Sequence, residues 1–411
     1  MSNEREIDIA IVGSGPAGHV AALQMARLGF STVLIGPAHA GTDGRTTALL
    51  GSSAQYLESL GLWDAVRARG QALRVMRLVD DTGRLFRAPT TEFDSSEIGL
   101  EAFGYNIDNN LLVEALDEGL EGIDSSLLHQ DQQFAKSVEL HDDHALIEMA
   151  DGSAWRAKLA IAADGRKSLV KDAAGIEMRK WGYPQAAMVV NLSHPSTPHG
   201  NASTEFHTPT GPFTLVPYRD GRTSSLVCVV TSETAERLKA MDKDALEAEL
   251  ERRAHSIYGA FELASEPQVF PLSGMVAKAF HGKRAAMIAE SAHVFPPIGA
   301  QGLNLSLRDI EALAKAITSQ GEQDGTRDPG SDQVLSSYGS ARLADIWSRT
   351  AGVHMLNMSL LSSLPFGQGA RTAGLALANM VPPLRKFMMK AGLDAPTRIG
   401  KLGNALRKSD L

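Results

Sequence analysis

The feature that most constrains the fold of this chain is a glycine-rich turn between an apolar run and a helical pattern near the N-terminus. The apolar run IDIAIV at residues 7–12 is followed by GSGPAG at 13–18 and then by HVAALQMARLG, which ends at Gly29. A short apolar run predicts a buried parallel strand, and STVLI at 31–35 predicts a second one. The spacing therefore predicts a strand–helix–strand unit within about 30 residues.

Each glycine of this turn has a physical reason to be there. Gly13 permits a tight exit from the strand, Gly15 allows backbone amides to approach a phosphate, and Gly18 allows the helix to pack closely on the strand. The first turn of the helix adds unpaired N–H groups and a positive dipole. We therefore expect the turn, with Pro16 and Ala17, to bind the pyrophosphate of a dinucleotide.

The second strand lacks the acidic residue that such a unit normally carries. That side chain usually ends the strand and binds the ribose hydroxyls of adenosine. Here the strand ends in Leu34-Ile35-Gly36, so Gly36 occupies the position. The chain contains no second Gly-x-Gly-x-x-Gly, and we therefore expect one dinucleotide-binding domain.

Two later strand-like runs extend this domain. Residues 158–163 lead into Asp164-Gly165, and residues 285–289 lead into a proline- and glycine-rich turn and then a helical stretch, Leu305–Thr318. Because these units are far apart in the sequence, they predict a discontinuous domain of the α/β, Rossmann-like class. Its predicted segments are 1–72, 98–182 and 271–325.

The residues between these units have a different character. Runs of β-type composition at 187–192, 213–217 and 224–231 are separated by turn signals such as Arg219-Asp220-Gly221. They predict an inserted, mainly antiparallel β-sheet domain that binds the substrate. Its predicted segments are 73–97 and 183–270.

The last part of the chain is predicted to be helical and basic. A polar connector at 319–332 leads into residues 333–411, which contain many Leu, Met and Ala residues. Between Arg371 and Lys408 there are eight Lys or Arg residues and one acidic residue, Asp394. This pattern is typical either of a helical cap with a solvated basic face or of a surface that contacts an anionic membrane or a partner complex.

Composition excludes several classes of function. The net charge of −8 argues against a nucleic-acid-binding protein. The single cysteine, Cys228, lies in the apolar run LVCVV, which predicts a buried strand residue and a reducing compartment. No histidines have metal-ligand spacing, no apolar stretch reaches the roughly 18 residues of a membrane span, and the first residues lack an export signal. We expect a cytoplasmic protein, or one peripheral to the inner membrane, with no metal site and no nucleic-acid partner.

Several segments together resemble one family over nearly the whole chain. They are similar to the single-component FAD-dependent aromatic hydroxylases, specifically the ubiquinone-biosynthesis branch of the UbiH/UbiF type. The resemblance implies FAD as cofactor, NAD(P)H as co-substrate, O₂ as oxidant and a lipid-tailed aromatic substrate. The segments that carry it are GSGPAG at 13–18, DGRTTALL at 43–50, FGYNIDNNLL at 103–112, AADGRKS at 162–168 and AESAHVFPPIGAQGLNLSLRD at 289–309.

The resemblance assigns several residues to the flavin. It implies that Arg45 lies along the flavin and that Asn109 belongs to the segment beside it. Asp164 and Gly165 belong to a motif that the family uses near the pyrophosphate and for the visiting nicotinamide cofactor. Glu290 stands where the family has an aspartate that reaches the ribityl hydroxyls, so the carboxyl group is kept but is one methylene longer.

The last of these segments also has a physical logic. Pro297 fixes a turn, and the small residues after it keep the backbone close to the ring system, although Ala300 replaces a glycine of the family pattern. The side chain of Asn304 and the amides that open the Leu305 helix are then expected to donate hydrogen bonds to the pyrimidine edge of the flavin. The predicted cofactor-binding residues here are Pro297, Gly299, Ala300, Gln301, Gly302, Leu303 and Asn304.

The leading hypothesis is an FAD-dependent monooxygenase that hydroxylates the ring of a polyprenylated ubiquinone precursor. The substrate is expected between the inserted sheet, around Phe206 and Phe213–Tyr218, and the flavin face near Pro297. No catalytic residue is assigned, because the difficult step belongs to the cofactor, and His293 is interpreted as structural or as part of the flavin surroundings. Two alternatives stay open: a hydroxylase of another hydrophobic aromatic, and a non-catalytic relative that binds lipid precursors or scaffolds a biosynthetic complex.

Overall fold

The computed structural model describes five stretches of the chain and four isolated residues near its C-terminus. The stretches are 4–38, 44–83, 87–296, 300–324 and 328–361, and the isolated residues are 383, 385, 386 and 389. Of the predicted site residues, Pro297 and Gly299 lie outside this part, as does most of the basic C-terminal region.

The described strands and helices follow in chain order. The strands are β1 (Glu4–Val12), β2 (Thr32–Ile35), β3 (Thr46–Leu50), β4 (Gln71–Leu73), β5 (Val75–Asp80), β6 (Thr91–Asp94), β7 (Gly104–Asp108), β8 (Leu128–Asp131), β9 (Ala135–Leu140), β10 (Ala145–Met149), β11 (Ala154–Ala162), β12 (Met178–Ser193), β13 (Ala202–Thr208), β14 (Gly211–Tyr218), β15 (Thr223–Thr231), β16 (Glu262–Leu263), β17 (Gln268–Ala277), β18 (His281–Gly282), β19 (Ala285–Met287) and β20 (His293–Val294). The helices are α1 (Pro16–Arg27), α2 (Gly51–Ser59), α3 (Trp63–Arg69), α4 (Asn109–Glu121), α5 (Leu169–Ala173), α6 (Ser232–Lys239), α7 (Lys243–Arg253), α8 (Gln301–Asp324) and α9 (Asp332–Leu361). Short 3-10 helices span Ser95–Ile98, Gly165–Lys167 and Ala289–Ser291.

The first sheet is the predicted Rossmann-like sheet. Its strand order is β18-β19-β11-β1-β2-β8, and β1 pairs in parallel with both β2 and β11. The strands β2 and β8, and β11 and β19, are also parallel, whereas β9 and β10 form an antiparallel extension beside β11. Ile9, Ile11 and Val33 are fully buried, and apolar residues of α1 and α8 complete the same core. The continuous apolar runs that predicted these strands reflect this burial on both faces.

The second sheet is the predicted inserted sheet. Its strand order is β20-β17-β12-β15-β14-β13-β5-β6, with β16 beside β12. Its strand pairs are antiparallel except for β13 and β5, which are parallel. A small third sheet has the strand order β3-β7-β4. Both the parallel and the antiparallel parts of the predicted α/β class are therefore present.

The second sheet has two faces with different surroundings. We call the face that packs on α6 and α7 the outer face, and it includes Phe206, Phe213 and Cys228. Side chains alternate along a strand, so Thr214, Val216 and Tyr218 point to the opposite, inner face. Burial on the outer face raises the pKa of the Cys228 thiol to about 11, consistent with the predicted buried strand cysteine.

The last described helices differ from the sequence prediction in their limits. Helix α8 begins at Gln301 and ends at Asp324, so the predicted start at Leu305 is wrong, and the first residues of the predicted connector at 319–332 are helical. In the sequence, Gly302 and Asn304 favour a loop. They are tolerated in the first turn of α8 because the N–H groups of that turn need no partner within the helix. Within the described residues, no helix combines the length and the apolarity that crossing a bilayer needs.

A buried histidine pair lies beside the outer face. His194 and His199 are almost fully buried, and the His194 ring stacks on Tyr258 with centroids 4.7 Å apart. His199 accepts a hydrogen bond at Nδ1 from the Asn201 N–H, and its buried Nε2 has no partner among the described residues. Burial, with a smaller contribution from His194, lowers the pKa of His199 to about 4.

This burial predicts a loss of stability in mild acid. Because the pKa of His199 is lower in the folded than in the unfolded protein, the unfolded chain binds more protons between about pH 6.5 and pH 4. We expect the free energy of unfolding to fall by about 1 kcal/mol more between pH 7.5 and pH 5 in the wild type than in His199→Gln. The exposed His141 gives the control His141→Gln, which should behave like the wild type; equal pH slopes in all three proteins would contradict the prediction.

Candidate functional site

The candidate site lies at the carboxyl ends of the parallel strands. Gly13 follows β1, Gly36 follows β2 and Asp164 comes two residues after β11. Open parallel sheets bind ligands in the crevice at this edge, because the loops and helix N-termini that follow the strands converge there. The structure therefore brings together at this edge the glycine turn and the Asp164-Gly165 turn, which the sequence placed far apart.

The glycine turn leaves one open position between two tight ones. A Cβ on Gly13 would lie 2.2 Å from the carbonyl oxygen of Ala163, and a Cβ on Gly18 would lie 1.8 Å from the carbonyl oxygen of Gly13. A Cβ on Gly15 would meet no atom within 4 Å. Gly13 and Gly18 are therefore required by packing within the protein, whereas the space at Gly15 is available to a ligand.

The start of α1 is suited to bind phosphate. Gly15 is its N-cap residue, Pro16 follows in the first turn, and no side chain caps the helix. The first turn contains no acidic residue that would repel an anion. Unpaired N–H groups and the positive end of the helix dipole therefore face the open space at Gly15, which fits the pyrophosphate of FAD.

Asp164 has one carboxylate oxygen in use and one without a partner. Its Oδ2 accepts a hydrogen bond from the Leu169 N–H at 2.7 Å, whereas Oδ1 is buried and has no hydrogen bond among the described residues. Burial raises the pKa of Asp164, although hydrogen bonds from Ser168 and the backbone oppose the shift. Gly165 follows with φ of 76°, in the left-handed region that glycine adopts without strain. A buried acceptor without a donor costs free energy, so the site fits a cofactor that brings a hydroxyl group.

Gly36 has a packing reason that the sequence did not reveal. Its φ is 154°, and a Cβ there would lie 2.6 Å from the Oγ of Ser14. That hydroxyl donates a hydrogen bond to the carbonyl oxygen of Pro37 at 2.7 Å. Ser14 therefore fills the space that the first atoms of an acidic side chain at position 36 would occupy.

The N-terminus of α8 presents backbone amides rather than the side chain of Asn304. Gln301, Gly302, Leu303 and Asn304 form its first turn, so their N–H groups have no partner four residues earlier within the helix. The Asn304 amide group donates to the carbonyl oxygens of Ala48 (2.7 Å) and Ala300 (2.6 Å) and accepts from the Leu50 N–H (3.0 Å). Its side chain thus joins α8 to β3.

Two alanines take left-handed conformations where the family has glycine. Ala289 has φ of 55° and Ala300 has φ of 52°. For a residue with a Cβ this conformation costs roughly 1–2 kcal/mol, so the surrounding structure must enforce it. At Ala289 the enforcing contact is visible, because its N–H donates to the Oδ2 of Asp309 at 2.9 Å.

Asp309 is the centre of a buried ionic cluster. Its carboxylate accepts hydrogen bonds from His293 Nε2 and from Arg342 Nε, both at 2.7 Å. Burial opposes its ionisation, but the charges of His293 and Arg342 hold the pKa of Asp309 below its usual value. Arg342 also donates to Asp345 at 2.6 Å. This cluster places His293 in a structural role and joins α8 to α9.

Glu290 lies beside the Asp164 turn and pairs with a residue of that turn. Arg166 donates from Nε and Nη2 to the two carboxylate oxygens of Glu290 at 3.2 and 3.3 Å. Both side chains are about half exposed, so the pair contributes little to stability, about 1 kcal/mol at most. The pair joins the 3-10 helix Ala289–Ser291 to the turn that follows Asp164.

Arg45 and Asn109 flank strands of the third sheet, and Arg45 also contacts the second sheet. The Asn109 N–H donates to the Arg45 carbonyl oxygen at 3.0 Å, and the Asn109 Oδ1 accepts from Thr47 at 2.6 Å. The Arg45 guanidinium lies over the Phe270 ring, 5.6 Å from its centroid, on the inner face of the second sheet. Arg45 therefore reaches from the segment that precedes β3 onto the second sheet.

A further contact between the sheets involves residues that sequence reasoning missed. Tyr218 on the inner face donates from its hydroxyl to the Oδ2 of Asp108 at 2.8 Å. Burial and the adjacent Asp108 raise the pKa of Tyr218 to about 12. Asp108 caps α4 through the Asn110 N–H, and an Asp before a helical run is a recognisable N-cap signal in the sequence. The partner of that carboxylate, 110 residues later, left no such signal.

The predicted substrate-contacting residues divide between the two faces. Phe206 and Phe213 are 2% and 1% exposed and pack against each other, 5.8 Å apart, in the core of the outer face. Strand alternation turns these two rings away from the inner face, so they belong to the core of the outer face. Val216 and Tyr218, from the same predicted segment, lie on the inner face.

Among the described residues, no three His, Cys, Asp or Glu side chains are arranged to hold a metal ion.

Comparison with known proteins identifies similar families and folds. The profile of the family described as "FAD binding domain" matches residues 6–351. The ubiquinone hydroxylase UbiL of Rhodospirillum rubrum is 30% identical over 396 residues, which cover 95% of this chain and 90% of UbiL. The 3-demethoxyubiquinol 3-hydroxylase of Escherichia coli is 30% identical over 404 residues, covering 96% of this chain and 100% of that protein.

The crystal structure of p-nitrophenol 4-monooxygenase PnpA from Pseudomonas putida shows the same fold. It superposes with a TM-score of 0.76 at 19% sequence identity and covers 96% of this chain and all of the other. The predicted α/β class with an inserted antiparallel sheet is thereby confirmed, and so is FAD as the cofactor.

The contrast between Gly15 and Gly18 gives a direct test of the cofactor site. In Gly15→Ala the new methyl group meets only open space, so we expect the free energy of unfolding of the apo-protein to change by less than about 0.5 kcal/mol. The same methyl group would occupy the approach of the pyrophosphate, and FAD affinity, measured by fluorescence titration, should fall at least about tenfold. Gly18→Ala should instead lower the stability of the apo-protein itself. Unchanged FAD affinity in Gly15→Ala would contradict this placement.

The Ser14 contact predicts the result of restoring the missing acid. Gly36→Glu should lower the free energy of unfolding by roughly 1–3 kcal/mol, because the Cβ meets Ser14 and the backbone is strained for any residue but glycine. We expect no gain in FAD affinity. Gly122→Glu, at a glycine with ordinary φ and open space around its Cβ, is the control and should be near neutral in thermal unfolding. A Gly36→Glu protein that is as stable as the control and binds FAD more tightly would contradict the packing argument.

Proposed function

The chain belongs to the FAD-binding-domain family and, within it, to the flavin hydroxylases of ubiquinone biosynthesis, and from this premise we propose that it hydroxylates the aromatic ring of a polyprenylated ubiquinone precursor. The co-substrates in this proposal are NAD(P)H and O₂. The names of the two similar hydroxylases support the substrate class. The observation that carries the proposal is the mainly apolar inner face of the second sheet, onto which Arg45 reaches.

FAD, when bound, supplies the activation of O₂ and the transfer of one oxygen atom to the ring. The residues of this chain bind and orient it. The amides at the start of α1 would hold the pyrophosphate, the free oxygen of Asp164 would accept a hydrogen bond from a hydroxyl group, and the amides at the start of α8 would face the pyrimidine edge. The positive end of the α8 dipole would stabilise negative charge on the pyrimidine edge. Because these donors are already in position, they need not reorganise when that charge develops.

A series of contacts from α8 through β3 to the second sheet supports a position of the α8 N-terminus near the inner face. Asn304 in α8 is bonded to β3. The segment that precedes β3 is bonded in turn to the second sheet, because Asn191 donates to the Gly44 carbonyl oxygen at 3.0 Å. Arg45 continues along the inner face as far as Phe270. The flavin edge and the substrate surface are therefore proposed to be the two walls of one site.

The inner face is suited to a hydrophobic aromatic substrate. Ala187, Val229 and Leu272 form a buried apolar cluster there, joined by the partly buried Val227 and Tyr183. Apolar walls exclude water, which strengthens the electrostatic effect of the few polar groups beside them. In this proposal the cofactor domain consists of residues 1–72, 98–182 and 271–325, and the substrate domain of residues 73–97 and 183–270.

The C-terminal region is proposed to bring the enzyme to the surface of an anionic membrane or to a partner complex. Its described residues lie against the edge of the second sheet: Arg385 pairs with Glu97 at 2.6 Å and lies over Phe93, and Met389 packs beside Phe103. The charge of Arg385 lowers the pKa of Glu97 to about 2. A docked segment with further basic residues beyond it would hold the edge of the substrate domain against the lipid that contains a polyprenylated substrate.

The proposed function is tested with purified protein saturated with FAD. Incubation with NAD(P)H, isotopically heavy O₂ and a panel of short-tailed prenylated phenols and demethoxyubiquinols should yield products with one heavy oxygen atom on the ring, detected by mass spectrometry. Gly15→Ala at the same protein concentration is the control with a weakened cofactor site. Turnover only of aromatics without isoprenoid tails would favour the alternative hydroxylase, and no hydroxylation of any prenylated substrate would overturn the proposal.

A further inference from the structure

A polar pair interrupts the inner face of the second sheet. On β13, the Oε1 of Glu205 lies 2.7 Å from the Nε2 of His207, and the Oε2 of Glu205 lies 3.5 Å from the hydroxyl of Thr214. The two side chains are 27% and 12% exposed, so the pair is largely desolvated but can still be reached. Its neighbours in register are the apolar Leu78 and Pro212 and the polar Thr214 and Asp80.

Contacts of the adjacent residues establish which face the pair occupies. Thr204 and Phe206, the alternating neighbours on β13, point outward, where Thr204 lies 3.3 Å from the Tyr258 hydroxyl and Phe206 packs in the outer core. Glu205 and His207 therefore point inward. This is the face on which Tyr218 contacts Asp108 at the end of β7.

The hydrogen bond determines what the imidazole can do. An ionised carboxylate only accepts hydrogen bonds, so the Nε2 of His207 must be the protonated nitrogen that donates to Glu205. The Nδ1 then carries a lone pair, and no described residue donates to it. A carboxylate–imidazole pair with one free acceptor nitrogen is the arrangement of a general base, in which the carboxylate fixes the ring and stabilises the imidazolium that forms.

We propose that Glu205 and His207 form the proton acceptor for the phenolic hydroxyl of the substrate, an inference that rests on the proposed function. The O–H bond of the phenol breaks, its proton bonds to the Nδ1 of His207, and the electron pair remains on the phenolate oxygen. A phenolate donates more electron density to its ring than a phenol, so the ring becomes a better acceptor of the oxygen atom. The imidazolium stays paired with Glu205, and the proton returns to solvent or to the product after each turnover.

The charged and titratable groups around His207 are compatible with this role. Asp80 on β5 is its partner in register, and the Asp80 carboxylate is bonded to Thr82 and to the Ala88 N–H. On β14 the residue opposite is Pro212, which carries no charge. On the neighbouring strands His207 is therefore flanked by the acidic Asp80 and the uncharged Pro212.

The test compares His207→Asn and Glu205→Gln with the wild type, all loaded with FAD. We expect kcat for a prenylated phenol to fall at least about tenfold at neutral pH in both variants with little change in KM, because the proton transfer and not the binding is affected. In His207→Asn the rate should rise with pH towards the pKa of the free phenol, whereas the wild type reaches a plateau earlier. His255→Asn is the matched control, because His255 lies on the outer face, 5.4 Å from Phe206, and has a left-handed backbone that asparagine tolerates.

A spectroscopic measurement keeps this inference separate from the proposed function. Without NAD(P)H, 2-geranylphenol bound to the wild type should show the ultraviolet difference spectrum of a phenolate at neutral pH, and the same probe bound to His207→Asn should show that of a phenol. Binding without ionisation in the wild type would overturn the dyad while hydroxylation continues to support the proposed function. Ionisation of the bound probe without any hydroxylation would support the dyad and overturn the proposed function. Kinetics and spectra of both variants equal to those of the wild type would also overturn the dyad.

Discussion

The carboxylate of Asp309 is the interaction on which the cofactor site most depends. It is fully buried on α8 and holds three other segments at once: the backbone at Ala289, the His293 ring and the Arg342 guanidinium of α9. Removing one partner of such a cluster typically costs about 3–5 kcal/mol, because a charge is left buried and unpaired. This one side chain therefore joins α8 to the left-handed turn that follows β19, and Asn304 joins the start of α8 to β3.

Around Asp309 the site has tightly packed backbone at some positions and open space at others. Gly13 and Gly18 bring backbone against backbone, and Ser14 packs into the space beside Gly36. Gly15 and the free oxygen of Asp164 remain open at the same edge. The protein thus packs tightly wherever its own atoms meet and leaves unpaired donors and acceptors where a cofactor brings the missing partners.

The sequence predicted the parts of this arrangement that depend on local pattern. Burial leaves a pattern of apolar residues in the sequence, and turns leave characteristic residues. These signals predict the βαβ unit, the strand before Asp164 and the inserted antiparallel runs. The start of α8 was placed four residues late, since glycine and asparagine in a first helical turn resemble a loop.

Other features depend on contacts between distant residues and leave no local signal. The space at Gly36 is filled by Ser14, and the carboxylate of Asp108 in the third sheet is paired with Tyr218 in the second sheet. Alternation predicts that Phe206 and His207 lie on opposite faces, but not which face meets the cofactor. Only the packing of α6 and α7 on the outer face decides that, and it puts the two phenylalanines in the outer core.

We propose that one flavin lies between the starts of α1 and α8, facing the inner face of the second sheet. Hydrogen exchange of the purified protein with and without FAD tests this position, because it reports on backbone amides segment by segment. We expect FAD to protect residues 13–18 and 301–304 and to leave α6 and α7 on the outer face unchanged. Protection confined to other segments, or no protection at saturating FAD, would contradict it.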